Sequence, residues 1–197
     1  MSNNRTLKKK VGFKKMENDN IYSQSIILIG PSGAGKSTVA NELCKITGMQ
    51  RLCLDSIANR DRRNGFRSNF RNSEEYNLYM LESQLKRAQD LGIPGVVDFG
   101  AGHSVYDDKI IFERVKYMLS NFENIVLLLP SENLEESLQI LSSRSTGDYS
   151  PNRRFITSPC NEELATIVIY ENGRTPKQVA QDIMNSIQMK RNESIKK

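Results

Sequence analysis

The sequence predicts a three-layer α/β/α fold with a five-stranded parallel sheet, and three observations predict it. Short, near-continuous apolar runs alternate with amphipathic helical patterns along the whole chain, as strands buried on both faces and their crossover helices do. A glycine-rich loop joins the first such run to the first helical pattern. The 197 residues, 38% of them apolar, suit one domain with room for a lid and tails.

Five strands are expected at residues 25–29, 51–54, 95–97, 125–129 and 166–170, each β-branched or leucine-rich and bounded by turn residues. The helix over 36–48 opens at the glycine loop. A second, over 73–91, takes Ser73 as its N-cap, carries the stripe Leu78, Leu81, Leu85 and Ala88, and stops at Gly92. Residues 107–120 carry Ile111, Val115 and Met118; residues 131–144 carry Leu134, Leu138 and Leu141 behind a Ser131 cap. The last helix has Thr175 as cap, Pro176 in its first turn, and Val179, Ile183 and Ile187 on one face. Residues 58–72, rich in Arg and Asn, and residues 145–159, which hold Gly147, Pro151 and Pro159, read as loops projecting from the strand ends, the second as a mobile lid.

The formal charge of +5 is confined to the ends. Residues 1–20 set Arg5, Lys8, Lys9, Lys10, Lys14 and Lys15 against Glu17 and Asp19; the last nine set Lys190, Arg191, Lys196 and Lys197 against Glu193. Residues 21–188 are therefore slightly acidic, so the domain has no basic face for nucleic acid, and residues 1–20 and 189–197 read as basic disordered tails. No apolar run reaches the roughly 18 residues of a membrane span, and the N-terminus lacks a signal-peptide pattern. Cys44, Cys53 and Cys160 are odd in number and scattered, which fits the cytoplasm and neither a disulfide framework nor a zinc knuckle. His103 is the only histidine, so acid, base and metal chemistry falls to carboxylates. A monomer or weak dimer is expected.

Gly30-Pro31-Ser32-Gly33-Ala34-Gly35-Lys36-Ser37-Thr38 matches G-x-x-x-x-G-K-[ST] in its required place between strand and helix. Glycines let successive N–H groups turn around phosphate oxygens, and the helix N-terminus adds partial positive charge. Lys36 is positioned to bridge the β- and γ-phosphates of ATP, and the Ser37 hydroxyl to reach Mg²⁺. Neither Asn-Lys-x-Asp nor the Asp-x-x-Gly of a GTPase switch appears. Asp55 and Asp98 each close a strand on the edge that carries the glycine loop, where a carboxylate can hold Mg²⁺ or accept a hydroxyl proton. Gly100-Ala101-Gly102 then makes a second small-residue turn where a small substrate can approach backbone.

These features together resemble shikimate kinase, within the P-loop nucleoside-monophosphate-kinase-like group. The resemblance spans residues 21–188 and includes the closing strand and helix around 165–180. It implies an ATP- and Mg²⁺-dependent phosphotransferase with a small-molecule acceptor. Asp55 would hold the acceptor hydroxyl, Gly100, Ala101 and Gly102 would line its pocket, Ser37 and Asp98 would face the metal, and Arg144, Arg153 or Arg154 would close over the phosphates. Two departures stand out. Cys53-Leu54-Asp55 keeps one acid of the family's Asp-x-Asp, and Leu78-Tyr79 replaces its Phe-Arg, removing the arginine that pairs with the substrate carboxylate. Arg67 or Arg71 would have to substitute, and shikimate is expected to be a poor acceptor. The alternatives are a nucleotide-binding regulatory ATPase without an acceptor and, behind it, a nucleic-acid kinase using the basic tails.

Overall fold

The structure, a computed structural model, describes residues 19–144 and 150–195. In chain order the elements are α1 (Asp19–Gln24), β1 (Ile26–Ile29), α2 (Lys36–Thr47), β2 (Gln50–Cys53), α3 (Leu54–Arg63), α4 (Ser73–Leu91), β3 (Gly95–Asp98), α5 (Lys109–Leu119), β4 (Ile125–Leu129), α6 (Leu134–Ser143), α7 (Ser150–Thr157), α8 (Pro159–Leu164), β5 (Ile167–Tyr170) and α9 (Pro176–Ile195), with 3-10 turns at Phe66–Asn69 and Ala101–His103. The five strands form one parallel sheet in the order β2-β3-β1-β4-β5.

Alternation along the strands divides the core. Ile27, Ile29, Val97, Ile125 and Leu127 pack on one face with Tyr76, Leu81 and Leu85 of α4 and Val115 of α5. Ile26, Leu28, Val96, Val126 and Leu128 pack on the other with Val39 and Leu43 of α2 and Val179 and Ile183 of α9. Because both faces are covered, β1 and β4 read as unbroken apolar runs rather than alternating ones. The chain reaches β2 and β3 on one side of β1 and then crosses to β4 on the other, so the carboxyl end of β1 is the switch point at which this architecture opens a crevice.

Several boundaries differ from expectation for local reasons. The N-cap of α4 is Asn72, not Ser73; its extended backbone lets the carboxamide accept the N–H of Glu75 at 2.9 Å. Asn133, not Ser131, caps α6 in the same way, accepting from Glu136 N–H at 3.0 Å. Residues 58–63, expected in a loop, belong to α3, which buries Leu54 and Ala58 one turn apart and places Arg60, Arg62 and Arg63 where the helix dipole favours cations. Residues 150–157 are likewise helical, with Pro151 in the first turn, where its missing N–H costs nothing; residues 145–149 of the expected lid lie outside the described residues. The expected N-terminal tail lies outside them to residue 18, and residues 19–20 already belong to α1. At the other end, residues 189–195 continue α9 instead of forming a tail. There the Lys190 ammonium donates to the Glu123 carbonyl at 2.7 Å and the Arg191 guanidinium to that of Ser23 at 2.8 Å, so terminal basic residues hold the helix end to α1 and to the loop before β4.

Candidate active site

The glycine loop between β1 and α2 depends on conformations open to glycine. Gly30 has φ +132°, and a Cβ there would run into the Leu128 carbonyl; Gly35 has φ +71°, and a Cβ there would meet the Glu171 carboxylate. Under the loop, the Lys36 ammonium donates to the carbonyls of Gly30 at 2.9 Å and Pro31 at 2.8 Å. Burial lowers the Lys36 pKa, opposed by the charges of Asp98, Asp55 and Cys53. The Ser37 hydroxyl donates to Asp98 Oδ2 at 2.8 Å, and Arg51 from β2 forms an ion pair with the same oxygen.

Those two contacts test whether the site suits Mg²⁺. A hydroxyl whose proton is committed to a carboxylate offers a cation only its lone pairs, and Asp98, at the end of β3, is buried beside it. The Ser37 lone pairs and the remaining Asp98 oxygen fit a divalent cation, with the Arg51 charge on the same carboxylate opposing it. Among the described residues, no group of three or more His, Cys, Asp and Glu side chains gathers to hold a metal independently.

Asp55, expected to close β2, stands instead in the first turn of α3, two residues beyond the strand's last residue, Cys53, with a largely exposed carboxylate. It lies against the Gly100 turn so closely that a Cβ on Gly100 would overlap Asp55 Oδ1 and come within 2.7 Å of His103 Nδ1. His103 is buried, with Nδ1 3.2 Å from the Gly100 carbonyl and 3.9 Å from Asp55 Oδ1. A carbonyl only accepts, so Nδ1 carries a proton, and Nε2, buried without a partner, is a poor site for a second.

Desolvation lowers the His103 pKa below its ordinary 6.5, outweighing the opposing pull of Asp55 and the Gly100 carbonyl, with Lys36 and Arg67 adding to the lowering. The folded chain therefore binds this proton less readily than the unfolded chain. Its contribution is complete above about pH 6.5 and is lost as pH falls towards the folded pKa, by up to about 1.4 kcal/mol per pH unit. Urea unfolding between about pH 7.5 and 5 should show a steeper loss for wild type than for His103→Gln. Equal slopes would mean that His103 is not held neutral.

The arginines separate. Arg144, at the end of α6, donates to Glu171 Oε2 at 2.6 Å and to the Gly33 carbonyl at 3.2 Å, beside the glycine loop. Arg154 pairs with Asp107 at 2.8 Å and points to the Gly102 side, whereas Arg153 pairs with Glu135 of α6 at 2.8 Å. Arg67 donates to Ser73 Oγ at 2.7 Å and lies over the Tyr76 ring; Arg71 is exposed and paired with Glu75. Neither lines the cavity at the Gly102 turn, and of the other expected acceptor residues Gly102 lines it whereas Asp55, Gly100 and Ala101 do not.

Two cavities flank the loop and the turn. One, of about 300 Å³, is lined by Gly33, Thr38, Arg144, Glu171, Arg174 and Pro176. Sequence reading missed Glu171, Arg174 and Pro176 as site residues. The available signal was their position directly after the last strand, at the same sheet edge as every other site residue. The other cavity, of about 560 Å³, lies beside Gly102 and is lined by Asn72, Glu74, Asn77, Asp107 and Arg154. Asn77 ties α4 to the turn by donating to the Gly102 carbonyl at 2.8 Å.

A parallel sheet ordered 2-3-1-4-5 with a glycine cradle at its switch point is a fold this chain shares with shikimate-kinase-like P-loop kinases. The AAA domain family matches residues 26–104, the stretch from β1 through the Gly100 turn. A shikimate kinase of Corynebacterium glutamicum is 24% identical over 170 residues, covering 83% of this chain and 96% of the relative. Among solved structures, the shikimate kinase from Acinetobacter baumannii in complex with shikimate has a TM-score of 0.60 at 20% identity, covering 88% of this chain and 98% of that one. A gluconokinase from Sinorhizobium meliloti 1021 has a TM-score of 0.61 at 12% identity, covering 89% and 98%. The structural likenesses establish a shared fold. No helix among the described residues is long and apolar enough to cross a membrane.

Proposed function

We propose that the chain transfers the γ-phosphate of Mg-ATP to a hydroxyl of a small molecule. The observation that carries this reading is the meeting at one sheet edge of two half-sites: the glycine loop with Lys36, Ser37 and Asp98, and Asp55 against the Gly100 turn. A nucleotide hydrolysed for regulation needs only the first.

The backbone N–H groups of residues 32–38 and the Lys36 ammonium bind the phosphates and stabilise charge on the transferring group. Ser37 and Asp98 would hold Mg²⁺, which would supply neutralisation of phosphate charge when bound. Arg144 and Arg174, with Pro176, offer cationic and flat apolar surface to the nucleoside in the cavity behind the loop. Asp55 orients the acceptor hydroxyl and takes its proton as the oxygen bonds to the γ-phosphorus and the bond to the β-phosphate oxygen breaks, releasing ADP. Arg154 lines the cavity beside Gly102, which would take the body of the acceptor, and α7, which carries Arg154, would help to exclude water.

Shikimate is a poor acceptor in this reading. Leu78 is buried in the core, and Arg67 and Arg71 are engaged with Ser73, Tyr76 and Glu75, which supports the absence of a bidentate partner for a substrate carboxylate. Loss of one charge-assisted pair costs about 1.5 to 3 kcal/mol, or roughly 10 to 150 fold in affinity. The test is a coupled ADP-release screen of sugars, polyols, hydroxy acids and shikimate with Mg-ATP. At least one non-shikimate acceptor should raise ADP release about tenfold or more above background hydrolysis. ADP release indifferent to every acceptor would favour the regulatory ATPase, and efficient use of shikimate would show that one of the two arginines moves into the site.

A further inference from the structure

The buried carboxylate of Asp98 is shared between a hydroxyl and a cation. Its Oδ2 accepts the Ser37 hydroxyl at 2.8 Å and pairs with a guanidinium N–H of Arg51. The Asp98 side chain is 3% exposed and that of Arg51 23%, so solvent screens this pair far less than a surface one. Arg51 is fixed from its other side, where Nη1 donates to Asn41 Oδ1 of α2 at 2.9 Å. Strand register sets the arrangement: β2 and β3 pair so that Arg51 lies opposite Val96 and Cys53 opposite Asp98. The residue beside Asp98 across the ladder is thus a thiol rather than a second acid.

We propose that Arg51 is a positioning residue that fixes Asp98 against Ser37 and, by neutralising it, leaves the protein little affinity of its own for a divalent cation, so that the metal is delivered by the nucleotide phosphates. The inference rests on the phosphotransfer reading above. A hydrated divalent cation near Asp98 faces a guanidinium bound to the same carboxylate, so attraction by the acid and repulsion by the arginine largely cancel. The pair also keeps the Ser37 acceptor in place before nucleotide arrives, a service a free carboxylate would have to supply by its own packing.

The test measures Mn²⁺ affinity in the presence of ADP by electron paramagnetic resonance, with no acceptor and no turnover. In the wild-type chain, protein-bound ADP should hold Mn²⁺ within about threefold as tightly as ADP free in solution; tightening of about tenfold or more would overturn the proposal. Arg51→Gln keeps a donor for Asp98 and removes the charge, and should tighten Mn²⁺ about tenfold relative to wild type, whereas Arg51→Lys should stay within about twofold. Unchanged or weaker Mn²⁺ affinity in a folded Arg51→Gln variant would also overturn it, and the wild-type comparison decides the matter if that variant does not fold. ADP binding with the wrong metal ratios defeats this proposal alone; absence of ADP binding by the wild-type chain defeats it together with the phosphotransfer reading.

Discussion

Lys36→Ala should weaken Mg-ATP binding at least about tenfold and abolish turnover. The ammonium is buried, held by the Gly30 and Pro31 carbonyls at 2.9 and 2.8 Å, beneath the loop proposed to bind the phosphates. A triphosphate in that cradle gains a charge-assisted contact of about 1.5 to 3 kcal/mol from the lysine, and more in the transition state, where charge on the transferring group spreads. Burial lowers the Lys36 pKa, and the negative charge of a phosphate beside it would oppose that lowering. Lys36→Met preserves side-chain volume and separates loss of charge from loss of packing. Calorimetric titration with an ATP analogue measures the first effect and ADP release the second. Normal values for both would show that this loop does not bind the phosphates.

What could be read in the chain beforehand was what neighbouring residues determine. The glycine loop is nine consecutive residues, and the five strands announce themselves because burial on both faces leaves no polar position inside β1 or β4. Helix α3 was missed because its core contact is narrow: Leu54 and Ala58 are buried on an otherwise charged segment, so the polar majority masked the stripe. At α4 and α6 the choice between Asn and Ser as cap turned on which residue adopts extended backbone, and neighbours of equal capping ability do not reveal that. The site pairs are further out of reach. Arg51 and Asp98 are 47 positions apart and Arg144 and Glu171 are 27 apart, and only the order of strands brings each pair together. Asp55 and Asp98 were legible as strand-end carboxylates, but the arginine on one and the glycine turn against the other are properties of the sheet.

Asp55→Asn should lower acceptor-dependent turnover about a hundredfold while leaving ATP affinity within about twofold, the lower range for loss of a general base. The carboxamide has the same volume and can still accept a hydrogen bond, so orientation is largely retained and proton removal is lost. The exposed carboxylate sits on the acceptor side, against Gly100 and 3.9 Å from the neutral His103 ring, rather than under the glycine loop, which is why nucleotide binding should be spared. Gly100→Ala offers an independent route to the same point: its Cβ would occupy the space of Asp55 Oδ1, so the carboxylate must move and turnover should fall without any change in charge. The comparison of kcat with the apparent Kd for ATP, using whichever acceptor the screen identifies, separates these effects. Full activity in Asp55→Asn would transfer the proton-accepting role to Asp98; since that carboxylate is already bound by Ser37 and Arg51, the acceptor would then have to enter from the metal side of the sheet edge rather than across the Gly100 turn.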